Sequence, residues 1–162
     1  MASCTLPEYE VGDAYLARLD PECRAKSLTE PVIMVHPGYY DDWDPAIVYQ
    51  GAWKRQSGAP GPDRDTRTYS ETPGAQMTLA FEGRALYYVF TRGPNSGIAS
   101  VTIDGVARDP IDQYYAVPDW QHKAGYCCFT PGRHVIVVRA TGEKNPKSTG
   151  YALDLDSFSV VD

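Results

Sequence analysis

Hydrophobic and polar positions alternate along most of this chain with a period of two, the spacing that lines one face of a strand with apolar side chains. The first apolar run, residues 32–35, ends at the turn signal His36-Pro37-Gly38. A second run covers 46–53 and carries Gly51 as a candidate bulge. After a short run at 68–70, residues 76–82 alternate cleanly and place Met77, Leu79 and Phe81 on one face. Gly83 then turns the chain into an apolar run at 84–91.

The stretch that follows has the clearest local grammar. A loop, Gly93-Pro94-Asn95-Ser96-Gly97, leads into an alternating segment that closes on Asp104-Gly105, a strong two-residue hairpin signal. Residues 106–111 read as the return strand, 112–121 as an aromatic-rich connection and 126–129 as a strand. Residues 133–140 are apolar on both faces and so belong in the middle of a sheet. A polar loop at 141–150 precedes the last strand, 151–161. Eight or nine short strands at regular spacing, with no helix among them, predict an all-β, antiparallel β-sandwich.

Residues 1–30 lack this alternation. Asp13 is placed to cap a short helix, and Asp20-Pro21 reads as an N-cap followed by proline at the first helical position. The expected organisation is an N-terminal connector or strap, 1–30, and a sandwich domain, 31–162. The opening residues carry neither a basic nor a hydrophobic segment, so they do not read as a signal peptide. Export of the chain as written is unsupported, though it could be cut from a longer exported protein.

Charge removes two classes of partner. A net charge of -6 opposes both nucleic acid, which attracts basic surfaces, and an anionic membrane surface. No apolar run is long enough to span a bilayer. Twelve tyrosines, three tryptophans, fourteen glycines and thirteen prolines suit a turn-rich β protein, and Tyr and Trp also offer apolar faces on which sugar rings stack.

Catalytic signals are missing. His36, His122 and His134 stand apart, without a metalloprotease helix motif or a nucleophile elbow, and the Gly93–Gly97 loop lacks the lysine of a phosphate cradle. Cys4, Cys23, Cys127 and Cys128 match no zinc spacing and read either as free thiols or with a Cys4–Cys23 bridge. If Cys127 and Cys128 lie in a strand they point to opposite faces, so at most one is in the core.

The series Tyr49-x-Gly51-x-Trp53, Gly93-Pro94-Asn95-x-Gly97 through Asp104-Gly105, and Thr141-Gly142-x-Lys144-Asn145-Pro146 through Gly150-Tyr151-x-x-Asp154-x-Asp156-x-Phe158 resembles the galactose-binding-like jelly-roll modules. Such modules are appended to bacterial glycoside hydrolases and other enzymes. The likeness covers about 45–162 and rests on turns and terminal strands. It implies a jelly-roll fold and a non-catalytic carbohydrate-binding role. The alternative is a structural accessory domain, packed on an upstream catalytic domain and binding no sugar.

Sugar contacts are expected from Tyr39, Tyr40 and Trp43 in one loop and Tyr114, Tyr115 and Trp120 in another, with Asn95 and Asn145 as polar partners. Asp154 and Asp156, two apart, project from the same face of a regular strand. The resemblance raises a structural calcium there, with Asp41, Asp42 or Asp44 as further oxygen donors. Solvent-facing aspartates are the simpler expectation.

Overall fold

The computed structural model describes residues 33–162. The expected connector, with Cys4 and Cys23, lies outside them, as does Val32 of the first predicted run. What is described of that run is a two-residue strand, β1 (Met34–Val35).

Three sheets form. The largest has seven strands. At its centre β12 (Arg133–Ala140) lies between β6 (Gln76–Glu82) and β8 (Ile98–Ile103), antiparallel to both. The other edge of β6 is shared by β1 and β3 (Val48–Gln50), while β8 also pairs with β9 (Val106–Ala107) and β10 (Ile111–Asp112). A four-stranded sheet runs β11 (Asp119–Cys127), β7 (Ala85–Arg92), β14 (Ser157–Val161), β2 (Gly38–Asp41). A three-stranded sheet joins β13 (Leu153–Leu155), β5 (Thr66–Ser70) and β4 (Lys54–Ser57).

The core lies between these sheets. Met77, Leu79 and Phe81 are fully buried on one face of β6, as the alternation predicts, and meet Ile136, Val138, Val101 and Ile103 of the large sheet. Leu86, Tyr88, Phe90 and Phe158 come from the opposing sheet, with the Tyr88 and Phe90 rings stacked at 4.7 Å. Each such fully buried side chain contributes about 1.5–3 kcal/mol relative to exposure.

Several predicted strands are broken by the need to change sheet. Gly51 is a corner and not a bulge: at φ 92 it ends β3 in the large sheet and sends the chain into β4 of the small one. The last strand divides at Asp156, so that β13 pairs with β5 and β14 with β7 and β2. The return strand stays in the large sheet but is interrupted at 108–110, where three residues lie opposite Ser100 and Val101 of β8 and Pro110 has no N–H for the ladder. Residues 38–41, expected as loop, form the edge strand β2, and β11 begins at Asp119, well before the expected 126.

The Asp104-Gly105 hairpin forms as predicted. Both residues have positive φ, 54° and 75°, and Ile103 faces Val106, the geometry of a two-residue type I′ turn.

Candidate functional site

Pairing of β5 with β13 sets Asp154 directly opposite Tyr69. Along β5, Thr68 and Ser70 are buried, so Arg67, Tyr69 and Glu71 project from the other face by strand alternation. That face is the floor of a cleft of about 270 Å³. Its walls are the loop Gly93-Pro94-Asn95-Ser96, Arg92 at the end of β7, and Pro118 and Trp120 at the start of β11.

Backbone contacts fix the loop wall. Gly97 N–H donates to Ala152 O at 2.9 Å, Ala152 N–H to Asn95 O at 3.0 Å and Thr149 N–H to Pro94 O at 2.8 Å. Ser148 Oγ reaches Ser96 O at 2.7 Å. A Cβ on Gly97 would stand 2.8 Å from Tyr151 O, and one on Gly150 would stand 2.8 Å from Asn95 O, so only glycine allows the two segments this close. The two sequence blocks that carry the family resemblance are therefore one unit in space. Asn95 is left exposed on its rim.

The opposite wall is seated by another glycine. A Cβ on Gly61 would fall 2.4 Å from the Trp120 indole, so the ring lies against bare backbone, and Gln121 Nε2 donates to Gly61 O at 3.1 Å. Gln121 itself is left-handed, at φ 54, where the β11–β7 register shifts between Asp119 and His122. This irregularity turns Trp120 toward the cleft.

The floor is charged and held in place. Arg67 Nη1 meets Asp154 Oδ2 at 3.2 Å, its Nε donates to Gln56 Oε1 at 2.8 Å, and its guanidinium lies 5.2 Å from the Tyr69 ring and 5.9 Å from that of Trp120. Asp154 Oδ1 accepts the Thr91 N–H at 2.7 Å. Behind it, Tyr88 O–H donates to Asp154 O, and Gln113 Nε2 donates to the Tyr88 hydroxyl at 2.8 Å. Burial outweighs the Arg67 and Thr91 contacts and pushes the Asp154 carboxyl up to about 6. At the mouth, Arg92 Nη2 pairs with Asp119 at 2.7 Å and its guanidinium covers the Tyr115 ring at 4.5 Å. Burial first, and Arg92 second, lower His122 below the usual imidazole range despite Asp119 at 3.2 Å.

Of the expected sugar contacts, Trp120 and Asn95 come together in this cleft, and Tyr115 sits beside it across Arg92. The others lie elsewhere. Tyr39 carries Arg64 over its ring at 5.2 Å and Trp43 carries Arg55 at 5.6 Å. Tyr40 packs against the core and donates to His36 O at 2.6 Å. Tyr114 forms a backbone bridge with Gly93, and Asn145 is tied to Asp112 at 2.7 Å and to the Lys147 N–H at 3.0 Å. Arg67, Tyr69, Glu71 and Arg92 were not expected.

The two aspartates are buried and do not face solvent: Asp154, in the middle of β13, is covered by Arg67 and the end of β7, and Asp156 stands at the break between β13 and β14. Asp156 accepts the Asp63 N–H at 3.1 and 3.2 Å, and burial, helped by Asp154, Asp63 and Asp42, pushes it up to about 7. Asp42 is also buried and accepts the Thr66 and Thr68 hydroxyls at 2.8 and 2.7 Å, while Asp44 accepts the Ala46 N–H at 2.9 Å. Protein donors thus take oxygens a calcium ion would need. Among the described residues no group of three or more His, Cys, Asp or Glu side chains is arranged to hold a metal.

No family model matches this sequence, and no curated protein does. Solved structures do resemble it. A xanthan lyase from Paenibacillus superposes with a TM-score of 0.60 at 20% identity, over 78% of this chain and 13% of the lyase. A two-domain esterase active on acetylated mannans gives 0.60 at 16% identity, over 76% of this chain and 36% of the esterase. A family 35 carbohydrate-binding module from Clostridium thermocellum gives 0.51 at 14% identity, over 77% of this chain and 98% of that module. The likeness shows the fold, a jelly-roll β-sandwich. The chain spans well under half of the two enzymes and matches the module almost end to end.

Proposed function

We propose that this chain is a non-catalytic carbohydrate-binding module and that the Trp120 cleft is its sugar site. The observation that carries the reading is the pairing of two aromatic rings, Trp120 in the wall and Tyr69 on the floor, with the polar groups of Asn95, Glu71, Arg67 and Arg92 around one small cavity. A sugar ring lays its C–H face on an aromatic ring and directs its hydroxyls to amide, carboxylate and guanidinium groups. At about 270 Å³ the cleft lies at the small end of ligand sites, which suits a short saccharide or a chain end. Asp154, the buried carboxyl beneath the cleft floor, is engaged by Arg67 and by the Thr91 N–H, which supports a binding role. A xanthan lyase, a mannan esterase and a carbohydrate-binding module among the neighbours support a carbohydrate ligand.

The test is affinity electrophoresis against a panel of polysaccharides, followed by calorimetry with oligosaccharides of any that retard the protein. Retardation that is lost in Trp120→Ala supports the reading. No retardation by any glycan, or unchanged affinity in Trp120→Ala, would overturn it. The second reading is an accessory domain of a larger enzyme, which the small share of the lyase and the esterase that the fold occupies favours. It predicts no glycan binding and stable association with a catalytic domain.

A further inference from the structure

Cys127 ends β11 and Cys128 follows it, both exposed and both free. Adjacent side chains of a regular strand point to opposite faces. Here Cys128 adopts φ 70, a left-handed conformation that disfavours a residue with a Cβ. This brings the two sulfurs to the same side, 2.6 Å apart. The pair is anchored on both sides. Cys127 is registered against Ala85, and the Phe129 N–H donates to Arg84 O at 3.2 Å with the Phe129 ring buried against Phe81 and His134. The sulfur of Cys128, through its hydrogen bond and then its charge, raises the Cys127 thiol.

We propose that Cys127 and Cys128 are a redox modification site at which the fold pre-organises two neighbouring thiols to close a vicinal disulfide when a low-molecular-weight disulfide is present. One cysteine thiolate attacks a sulfur of the oxidant, forming a mixed disulfide and expelling one thiolate. The second cysteine, once deprotonated, attacks the protein-bound sulfur and expels the other. The protein gives up two electrons and two protons, and one small disulfide becomes two thiols. The site stands at the opposite end of β11 from Trp120 and does not depend on sugar binding.

The experiment equilibrates the full chain with glutathione and glutathione disulfide over a range of ratios, quenches by alkylation and digests with trypsin. The peptide 124–133 holds Cys127 and Cys128 and no other cysteine. The expected product is this peptide unalkylated and lighter by two hydrogens, appearing at about tenfold less oxidising ratios in the folded protein than in a synthetic peptide of the same sequence. Cys127→Ser should stop the reaction at a glutathione mixed disulfide on Cys128. Full alkylation, two glutathiones on one peptide, cross-links to another peptide, or equal closure by the synthetic peptide would each overturn the proposal.

Discussion

Arg67 and Asp154 meet at 3.2 Å where the floor of the cleft joins the sandwich core. The aspartate is 3% exposed and its Oδ1 holds the end of β7 through Thr91, so the pair links the candidate site to three strands. Removing one partner of a buried pair leaves an uncompensated charge and costs about 3–5 kcal/mol. Arg67 reaches solvent, and Asp154 can take up a proton, so the cost here falls below that range. Arg67→Met should lower unfolding free energy by about 2–3 kcal/mol at pH 8 in urea denaturation. The loss should shrink at pH 5, where Asp154 is protonated. A loss independent of pH would show that the guanidinium acts through packing on Tyr69 and Trp120 alone.

Gly61 and Trp120 form the next testable contact. At φ 119, and with the indole 2.4 Å from any added Cβ, Gly61→Ala must displace the ring or the loop. Glycan binding should weaken by about tenfold, or ~1.4 kcal/mol, comparable to the loss of one aromatic contact. Trp120→Ala should weaken it as much, and the double variant little more, because both changes remove the same platform. Calorimetry on the three variants gives the coupling. Additive losses would mean that Gly61 supports something other than Trp120.

Buried carboxyls give the fold an unusual pH profile. Asp156 at about 7 and Asp154 at about 6 stand above the ordinary carboxyl value near 4. A raised folded-state value means that the native protein binds the proton more tightly than the unfolded chain. The resulting stability is present below the unfolded value and is lost as pH rises through about 6 and 7. The melting temperature should therefore be higher at pH 5 than at pH 8, the reverse of ordinary acid destabilisation. Asp156→Asn keeps an acceptor for the Asp63 N–H and removes the titration. It should raise the melting temperature at pH 8 and flatten its pH dependence in a calorimetric series from pH 5 to pH 8. An unchanged slope would show that Asp156 is not the group responsible.

Sequence alone shows β6 and β12 well because their apolar residues recur on a face that is wholly buried. It hides β2 and β11, edge strands whose half-exposed, polar and aromatic residues look like loop. Trp120 and Asn95 were legible as the right residue types in turn-rich stretches. Arg67, Tyr69 and Glu71 were not, because Asp154 and β13 reach them across more than eighty positions of chain. Their signal was present in the alternation of polar and aromatic with small residues along Arg67-Thr68-Tyr69-Ser70-Glu71, which places all three on one face. The burial of Asp154 and Asp156 was invisible for the same reason. Asp154 is covered by Arg67 and the end of β7, and Asp156 stands where the chain passes from β13 to β14, and neither neighbour is visible from the strand's own alternation.

The Asp104 hairpin offers the last prediction. His134 sits with Nδ1 2.7 Å from Asp104 Oδ2 and Nε2 2.7 Å from Thr130 O, so both ring nitrogens face acceptors and the imidazolium is favoured. Burial opposes this, but the Asp104 hydrogen bond, the Thr130 carbonyl and the Asp104 charge outweigh it and raise His134 above its usual value. Burial likewise opposes ionisation of Asp104, and the contacts from His134 and the Val135 N–H lower it regardless. Stability from the raised histidine is complete below about pH 6.5 and is lost as pH rises through its folded value. Asp104→Asn preserves a residue that tolerates φ 54 in the turn while removing the charge. The variant should lose about 1–2 kcal/mol at pH 5.5, where the pair is charged in the parent, and clearly less at pH 9. Its His134 resonance should titrate at lower pH than in the parent. An NMR titration of the imidazole protons reads this directly, and an unmoved His134 would show that Thr130 alone sets its charge.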